Sequence, residues 1–218
     1  MSKKSKKPWP TKAVMEQIYD KHFWGGKEFD FYSGYGSHEA SIVTPYLQSV
    51  STFLKNQNPK LSVCDLGCGD FNIGNQLTQY TKHYHAIDIV APLIERNKKL
   101  YQNSNIEFYC LDISKDDIPL ADCVILRQVL QHLSNTEIQD ILYKIAHYKY
   151  IILTEHIPLS KFTPNKDIIA GQGIRLKQQS GVLIQEPPFN FKTTSETVLN
   201  EHILPNKMGR IITTLYTT

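Results

Sequence analysis

Arginine is scarce in this sequence, and its scarcity argues against one large class of ligands. Only four of the 24 basic residues are arginine, and four of the lysines lie within the first seven residues. Proteins that bind nucleic acid usually cluster arginines on one face. With a net charge of only +3, we do not expect nucleic acid as a partner. We predict that residues 1–10 are a disordered basic tail.

Long apolar runs and cysteines are scarce as well. No apolar stretch reaches the roughly 18 residues of a membrane helix, and no secretory signal pattern is present, so the sequence predicts a cytoplasmic protein without membrane contact. The four cysteines lie in or beside predicted buried strands, where a free thiol acts as a small apolar side chain. Cys64 and Cys68 lack a second pair of ligands, and His83 and His85 lack a third, so we expect no metal.

The most informative pattern is a glycine-rich turn after an apolar stretch. Residues 61–66 read as a buried strand, and Gly67 and Gly69 follow directly. A tight turn between strand and helix needs residues without a β-carbon, so that backbone N–H groups can approach a ligand. A dinucleotide fingerprint would place its third glycine at position 72, which is Asn72 here. Asp65, before the turn, would repel a pyrophosphate but suits a positively charged ammonium or sulfonium group.

The segment Asp65-x-Gly67-x-Gly69 resembles the first motif of the class I S-adenosylmethionine-dependent methyltransferases. That motif is an acidic residue followed by x-Gly-x-Gly, and Phe71 stands where the family often has a third glycine. The resemblance implies S-adenosylmethionine as the cofactor, held by Asp65, Gly67 and Gly69.

Two further carboxylates end the next predicted strands, in the order the same family shows. Asp88 is placed to accept hydrogen bonds from both ribose hydroxyls of an adenosine, and the alternative is that it caps the following helix. The resemblance implies that Asp112 accepts from the adenine amino group and that isoleucines cover the ring. The implied cofactor residues after the glycine turn are Asp88, Ile89, Asp112, Ile113 and Arg127.

Strand and helix patterns alternate five times, which is typical of a doubly wound parallel sheet. The predicted strands cover 61–66, 83–88, 106–110, 122–126 and 150–153. Residues 181–185 and 210–216 are assigned as the last two strands, which the family adds as an edge hairpin. We therefore predict an α/β fold: a three-layer Rossmann-like sandwich with a seven-stranded, mostly parallel sheet and an antiparallel C-terminal strand.

The chain before the sheet is predicted to cover it. Residues 11–60 are assigned as an N-terminal helical and lid extension, and residues 61–218 as the S-adenosylmethionine-binding methyltransferase domain. Residues 22–37 are rich in aromatics and glycines without helix or strand periodicity. They are either a lid over the cofactor or acceptor, or a connector that covers the sheet edge. Residues 157–180, where a crossover helix is usual, are predicted to be a loop.

The predicted reaction is methyl transfer to an oxygen or nitrogen of a small, anionic or sugar-like acceptor. Three residues are candidates for catalysis: Arg127 and His132 after strand four, and Arg175, which can reach the ends of strands four and five from the long loop. His132 is either a general base or a ring bonded to a backbone carbonyl. The two arginines either bind an anionic acceptor or form surface ion pairs.

A narrower likeness concerns three short segments, which look like those of bacterial methyltransferases associated with surface-glycan and capsule genes. They are Trp24-Gly-Gly, Ser33-Gly-x-Gly-Ser and Arg127-x-Val-Leu-Gln-His-Leu. In that group an aspartate usually follows the arginine, whereas this chain has Gln128.

Three other functions remain open from the sequence. A nucleic-acid (RNA) methyltransferase would resemble enzymes with a Pro-Pro-aromatic motif after strand four, but the chain's only such motif, Pro187-Pro188-Phe189, comes much later. A non-catalytic descendant would keep cofactor binding alone. An NAD(P)-dependent oxidoreductase is disfavoured by Asp65 and the missing third glycine.

Overall fold

The computed structural model describes residues 8–28, 30–205 and 208–218. Most of the predicted basic tail, residues 1–7, lies outside this part. The described chain contains one mixed sheet of seven strands in the order β3-β2-β1-β4-β5-β7-β6. The strands are β1 Ser62–Leu66, β2 His83–Asp88, β3 Ile106–Cys110, β4 Cys123–Arg127, β5 Tyr150–Ile157, β6 Ser195–Ile203 and β7 Arg210–Thr217. β1 to β5 are parallel, while β7 pairs antiparallel to both β5 and β6. The predicted fold class is confirmed.

Five α-helices accompany the sheet in the described residues. They are α1 Thr11–Asp20, α2 Ala40–Lys55, α3 Gly74–Leu77, α4 Ala91–Leu100 and α5 Asn135–Ile145. α5 begins with a capping box, because the Ser134 side chain accepts from the Glu137 N–H and the Glu137 carboxylate accepts from the Ser134 N–H. None of the described helices is long and apolar enough to cross a membrane.

The core has one layer on each face of the sheet, because side chains alternate along each strand. Cys64 and Leu66 of β1 join the layer that holds the apolar face of α5. Val63 joins the layer under α2, with Tyr46 and Val50. The parallel strands are buried on both faces, so their carboxyl ends are the open edge at which a ligand can bind.

The prediction for the sixth strand is wrong. Residues 181–185 form no strand, and β6 is Ser195–Ile203 instead. The apolar run is buried because Val182 and Ile184 pack in the α5 layer. In place of a neighbouring strand, the Asn165 side-chain amide provides hydrogen bonds to this segment: it accepts from the Leu183 N–H and donates to the Leu183 carbonyl. β6 lies at the edge and is largely exposed, so it lacks the apolar pattern that identifies a buried strand.

The connections around the site also depart from regular α/β units. Between β5 and β6 the structure has a single 3₁₀ turn, Arg175–Gln178, where a crossover helix is usual, as predicted for 157–180. The helix after the glycine turn begins only at Gly74. Phe71 has a φ of +63°, so the chain makes one more turn before the helix can start.

Candidate functional site

A cavity of about 340 Å³ opens at the carboxyl ends of the parallel strands. All predicted cofactor residues border it, together with His132: Asp65, Gly67, Gly69, Asp88, Ile89, Asp112, Ile113 and Arg127. Arg175 does not border it.

The glycine turn lies against other chain segments so closely that side chains are excluded. The N–H groups of Gly67 and Cys68 both donate to the Ile87 carbonyl of β2 at 2.8 Å. Gly67 has a φ of +83°, and a β-carbon there would lie 2.5 Å from a Val129 methyl group. A β-carbon on Gly69 would lie 2.2 Å from the Ser33 hydroxyl oxygen. The turn therefore needs glycine both for its conformation and for the approach of its neighbours.

Phe71 explains how the chain manages without the family's third glycine. Its ring is buried and makes edge contacts with Tyr84, Tyr101 and Phe108. A β-carbon on Gly74 would lie 2.4 Å from this ring and 2.9 Å from Asp65 Oδ2. The Phe71 ring therefore occupies the space that a side chain at position 74 would need. In the sequence, the signal for this packing is that glycine is the first residue of α3.

Asp65 is a buried carboxylate with one hydrogen bond from a side chain. The Tyr84 hydroxyl donates to its Oδ2 at 2.9 Å. Burial raises the pKa of Asp65 to about 7, although Tyr84 and Arg127 act in the opposite direction. A cationic group placed beside it would favour the charged carboxylate.

Asp88 bonds the glycine turn on one side and the start of α4 on the other. Its Oδ2 accepts from the Gly69 N–H at 3.1 Å, and its Oδ1 accepts from the Val90 N–H at 3.0 Å. Burial raises the pKa of Asp88 to about 6, against the effect of these hydrogen bonds. Each oxygen accepts one of these bonds and can accept another, so the helix-start contact and a ribose contact are compatible.

Asp112 is held in a turn at the rim of the cavity. Its carboxylate accepts from the Ser114 hydroxyl at 2.6 Å and from the Lys115 ammonium at 2.7 Å. Burial acts to raise the pKa of Asp112, but these two partners outweigh it and leave the pKa below its ordinary value. Asp112 is therefore ionised and fixed in position.

Residues 30–38 pass over the glycine turn and are bonded to it. The Ser33 N–H donates to Asp70 Oδ2 at 2.9 Å, and the Asp70 N–H donates to the Ser33 hydroxyl at 2.7 Å. The Asn72 amide donates to the Ser37 carbonyl at 2.8 Å. Five consecutive residues of this segment border the cavity, 33–37.

Arg127 lies between this covering segment and the floor of the cavity. Its guanidinium donates to the Ser37 hydroxyl at 3.1 Å and to the Gly36 carbonyl, and it lies 4.7 Å from the centre of the Tyr46 ring. Burial lowers the pKa of Arg127 from its ordinary value.

Three buried polar atoms that belong to cavity residues have no hydrogen-bond partner in the described part of the chain. They are Tyr46 Oη, Arg127 Nε and Gln131 Oε1. Native proteins rarely leave buried polar groups unpaired, so these atoms point to a polar ligand. With Asp65, they offer partners for both the ammonium and the carboxylate of an amino acid, and the cavity therefore fits S-adenosylmethionine. Tyr46 and Gln131 were missed in the sequence, where they read as ordinary helix and turn residues.

His132 borders the cavity with both ring nitrogens bonded. Its Nδ1 donates to the Gly171 carbonyl at 3.0 Å, and the Gln131 amide donates to its Nε2 at 3.2 Å. Its ring centre lies 5.3 Å from that of Trp24. Burial lowers the pKa of His132 to about 4, so the ring is neutral near pH 7. Of the two alternatives predicted for His132, a general base or a ring bonded to a backbone carbonyl, this geometry matches the second.

The structure argues against the acceptor role predicted for Arg175. Its side chain is buried and its guanidinium donates to the carbonyls of Leu133 and Lys166, each at 2.8 Å, and to three further oxygens on Leu130, Gln131 and Asn135. No donor is left for an anionic acceptor. Arg175 instead fixes the turn that carries His132.

The comparisons with known proteins agree with this site. Residues 63–148 match a family model described as a methyltransferase domain. Over 76 residues the chain is 32% identical to uncharacterized methyltransferases of Mycobacterium bovis and Mycobacterium tuberculosis, which covers 34% of this chain and 39% of each relative. The chain thus matches about two fifths of the length of these relatives.

Solved structures share the fold over nearly the whole chain. The N-methyltransferase NodS from Bradyrhizobium japonicum, in complex with S-adenosylhomocysteine, has a TM-score of 0.65 at 10% identity, covering 94% of this chain and 98% of its own. Magnesium protoporphyrin IX methyltransferase from Synechocystis, with bound S-adenosylmethionine, has a TM-score of 0.60 at 16% identity, covering 98% and 100%. At these identities the likeness shows a common fold.

Proposed function

We propose that this protein uses S-adenosylmethionine to methylate a small-molecule acceptor, because residues 63–148 match a family model described as a methyltransferase domain. The observation that carries the proposal is the meeting of three strand-end carboxylates and a glycine turn in one cavity with unpaired buried polar atoms. The bound cofactors of the structural neighbours support S-adenosylmethionine over NAD(P).

Each part of S-adenosylmethionine has a chemically matching residue in the cavity. Asp65 suits the ammonium group of the methionine part, while Arg127 Nε and the Tyr46 hydroxyl suit its carboxylate. Asp88 accepts from the ribose hydroxyls. Asp112 accepts from the adenine amino group, and Ile89 and Ile113 cover the ring. When bound, the cofactor supplies an electrophilic methyl group on its sulfonium sulfur.

We assign the part of the cavity near Trp24, Gln131 and His132 to the acceptor, since it lies beyond the end of β4. A ring with a pKa of about 4 is a weak base, so His132 acts here by orienting the acceptor. Methyl transfer depends chiefly on holding the nucleophile in line with the methyl group. Covering residues 33–37 would exclude water from that region.

The likeness to surface-glycan enzymes remains a prediction, and an anionic acceptor now has weaker support. The Arg175 guanidinium is fully bonded within the protein, and Arg127 already donates to two groups of the covering segment. RNA as the acceptor is not favoured either, because Pro187, Pro188 and Phe189 do not border the cavity and Phe189 packs in the core.

The proposal is tested by methyl transfer from cofactor labelled in its methyl group. The full chain is incubated with separate pools of small amines, small acids and sugars, and total RNA. We expect label in a small-molecule pool. Label confined to RNA would replace the proposed acceptor class, and no label in any pool, from a protein that binds S-adenosylhomocysteine, would point to a non-catalytic descendant.

Once an acceptor is found, His132→Ala is the sharper test. It should lower turnover by about 100-fold, the effect of a misplaced reactant, while leaving cofactor affinity intact. His147→Ala is the matched control, because His147 is exposed and does not border the cavity. Equal activity of the two variants would move the acceptor site elsewhere.

A further inference from the structure

Three metal-binding side chains meet on the sheet away from the cavity. His83 and His85 lie on β2 and point to the same face, because side chains alternate along a strand. Glu107 of the edge strand β3 is the register partner of His85. One ligand atom from each of the three residues lies within 4.8 Å of the other two. The sequence alone offers no third ligand, because Glu107 is brought to the histidines only by strand pairing.

The separations fit a small divalent ion. His83 Nε2 and Glu107 Oε1 are 3.1 Å apart. Two ligands on a tetrahedral Zn²⁺, each bonded at ~2.0 Å, are separated by ~3.3 Å. The rings of His83 and His85 have centres 4.4 Å apart. Glu107 is exposed, so an ion can reach the three side chains from solvent.

A second observation singles out His85. Its Nδ1 is shielded from solvent and has no hydrogen-bond partner in the described residues. The neighbouring Glu107 carboxylate is paired elsewhere: one oxygen contacts His83 Nε2, and the other accepts from the Tyr109 hydroxyl. In known metal sites, a hydrogen bond to the carboxylate ligand, such as the one from Tyr109, orients that ligand toward the metal.

We propose that His83, His85 and Glu107 bind Zn²⁺, with water as the fourth ligand. Two imidazoles and a carboxylate are ligands that zinc accepts. The ion would join edge strand β3 to β2 and so stabilise the edge of the sheet. His83 lies five positions before Asp88 on β2, roughly 16 Å along the strand, so this site is separate from the cofactor cavity and does not depend on the proposed function.

The test is zinc affinity of the full chain, stripped with a chelator and titrated against a chromophoric zinc indicator. We expect one Zn²⁺ per chain, with Co²⁺ giving the visible absorption of a tetrahedral site. His85→Ala and Glu107→Gln should each weaken binding by at least about tenfold, and Tyr109→Phe by up to about tenfold. Circular dichroism establishes that each variant is folded, and Glu107→Gln changes only an exposed side chain.

His147→Ala is the control for binding by surface histidines, since His147 is exposed and lies after α5. Its zinc affinity should equal that of the wild type. The proposal is overturned if the wild type binds no zinc, if His85→Ala and Glu107→Gln bind as tightly as the wild type, or if His147→Ala loses as much affinity as they do.

Discussion

At the scale of single residues, the Asp88 carboxylate joins the glycine turn to the start of α4. Its oxygens accept from the N–H groups of Gly69 and Val90, and we propose that they also accept from ribose hydroxyls. Removing the carboxylate would leave both N–H groups unpaired, and an unpaired buried donor costs about 1–3 kcal/mol. Binding and stability are therefore coupled at this residue.

Asp88→Ala should lower the affinity for S-adenosylhomocysteine by about 10- to 100-fold, the range expected for lost hydrogen bonds to a charged group. It should also lower the free energy of unfolding by about 2–6 kcal/mol, because two donors lose their acceptor. Titration calorimetry and urea denaturation measure the two effects. Asp88→Asn keeps one oxygen acceptor and should lose less stability than affinity. Unchanged affinity in both variants would reduce Asp88 to a residue that orders the start of α4.

The affinity for S-adenosylhomocysteine should depend on pH through Asp65. Burial raises its pKa to about 7, so the carboxylate ionises as the pH rises from 6 to 8. Because the ionised form attracts the ammonium group, affinity for S-adenosylhomocysteine should increase by about tenfold over this range, in step with the ionised fraction. Calorimetry at three pH values measures it. In Asp65→Asn this part of the pH dependence should disappear, and an unchanged slope would contradict the assignment.

The same raised pKa affects the free protein in the opposite direction. A carboxyl group whose pKa is higher in the folded than in the unfolded state stabilises the fold below its unfolded pKa, and that stability is lost as the pH rises through the folded pKa. The melting temperature of the free wild type should therefore fall between pH 6 and 8 more steeply than that of Asp65→Asn. Bound S-adenosylhomocysteine should reduce this difference.

Residue positions were predictable from sequence where they depend on strand ends, and not where they depend on burial. Asp65, Asp88 and Asp112 were placed at one edge of the sheet because each lies at or just after the end of a recognisable strand. Arg175 was assigned to the acceptor because a loop arginine reads as exposed, whereas its guanidinium is buried on carbonyls of the 130–133 turn. Hydrogen-bond partners of that kind come from distant parts of the chain and leave no local pattern.

At the scale of elements, the cover of the cavity is held to its floor by side-chain hydrogen bonds and not by regular secondary structure. Ser33 and Asp70 exchange two hydrogen bonds, and Arg127 donates to Gly36 and Ser37. Residues 33–37 include only one short 3₁₀ turn, Tyr35–Ser37. An element with so little regular structure of its own should open more readily than the sheet.

Hydrogen exchange should therefore report ligand binding at this cover. Amides of residues 30–37 should exchange more slowly when S-adenosylhomocysteine is present, because opening then requires loss of ligand contacts. Gln172 and Ile174 also border the cavity, so residues 171–174 should gain some protection. The exposed strand β6 is the internal control and should not change. Equal exchange with and without ligand in both segments would make them simple connectors.

Elements with a clear apolar period were predicted well. The ranges predicted for β2 and β3 were both confirmed. The sixth strand was assigned to 181–185 because an apolar run ordinarily marks a strand, yet Val182 and Ile184 of that run pack in the α5 layer without forming a strand. The real β6 has an exposed outer surface, and an edge strand of that kind is stabilised by its backbone pairing with β7 rather than by burial.

At the scale of the whole molecule, the order of strands determines where the carboxylates meet. β1 lies between β2 and β4, so Asp65, Asp88 and Arg127 come from three adjacent strands and face one cavity. This arrangement was predictable, because parallel strands joined by crossovers place all their carboxyl ends at one edge. The other end of the cavity, which we propose for the acceptor, was not predictable. It is bordered by residues 24, 33–37, 172 and 174, whose positions depend on contacts between distant segments.

The central claim is that this cavity binds S-adenosylmethionine, and titration calorimetry with S-adenosylhomocysteine tests it most directly. We predict that one molecule binds per chain, that S-adenosylmethionine competes for the same site, and that NAD and NADP give no heat of binding at equal concentration. Binding of NAD or NADP without binding of S-adenosylhomocysteine would contradict the account.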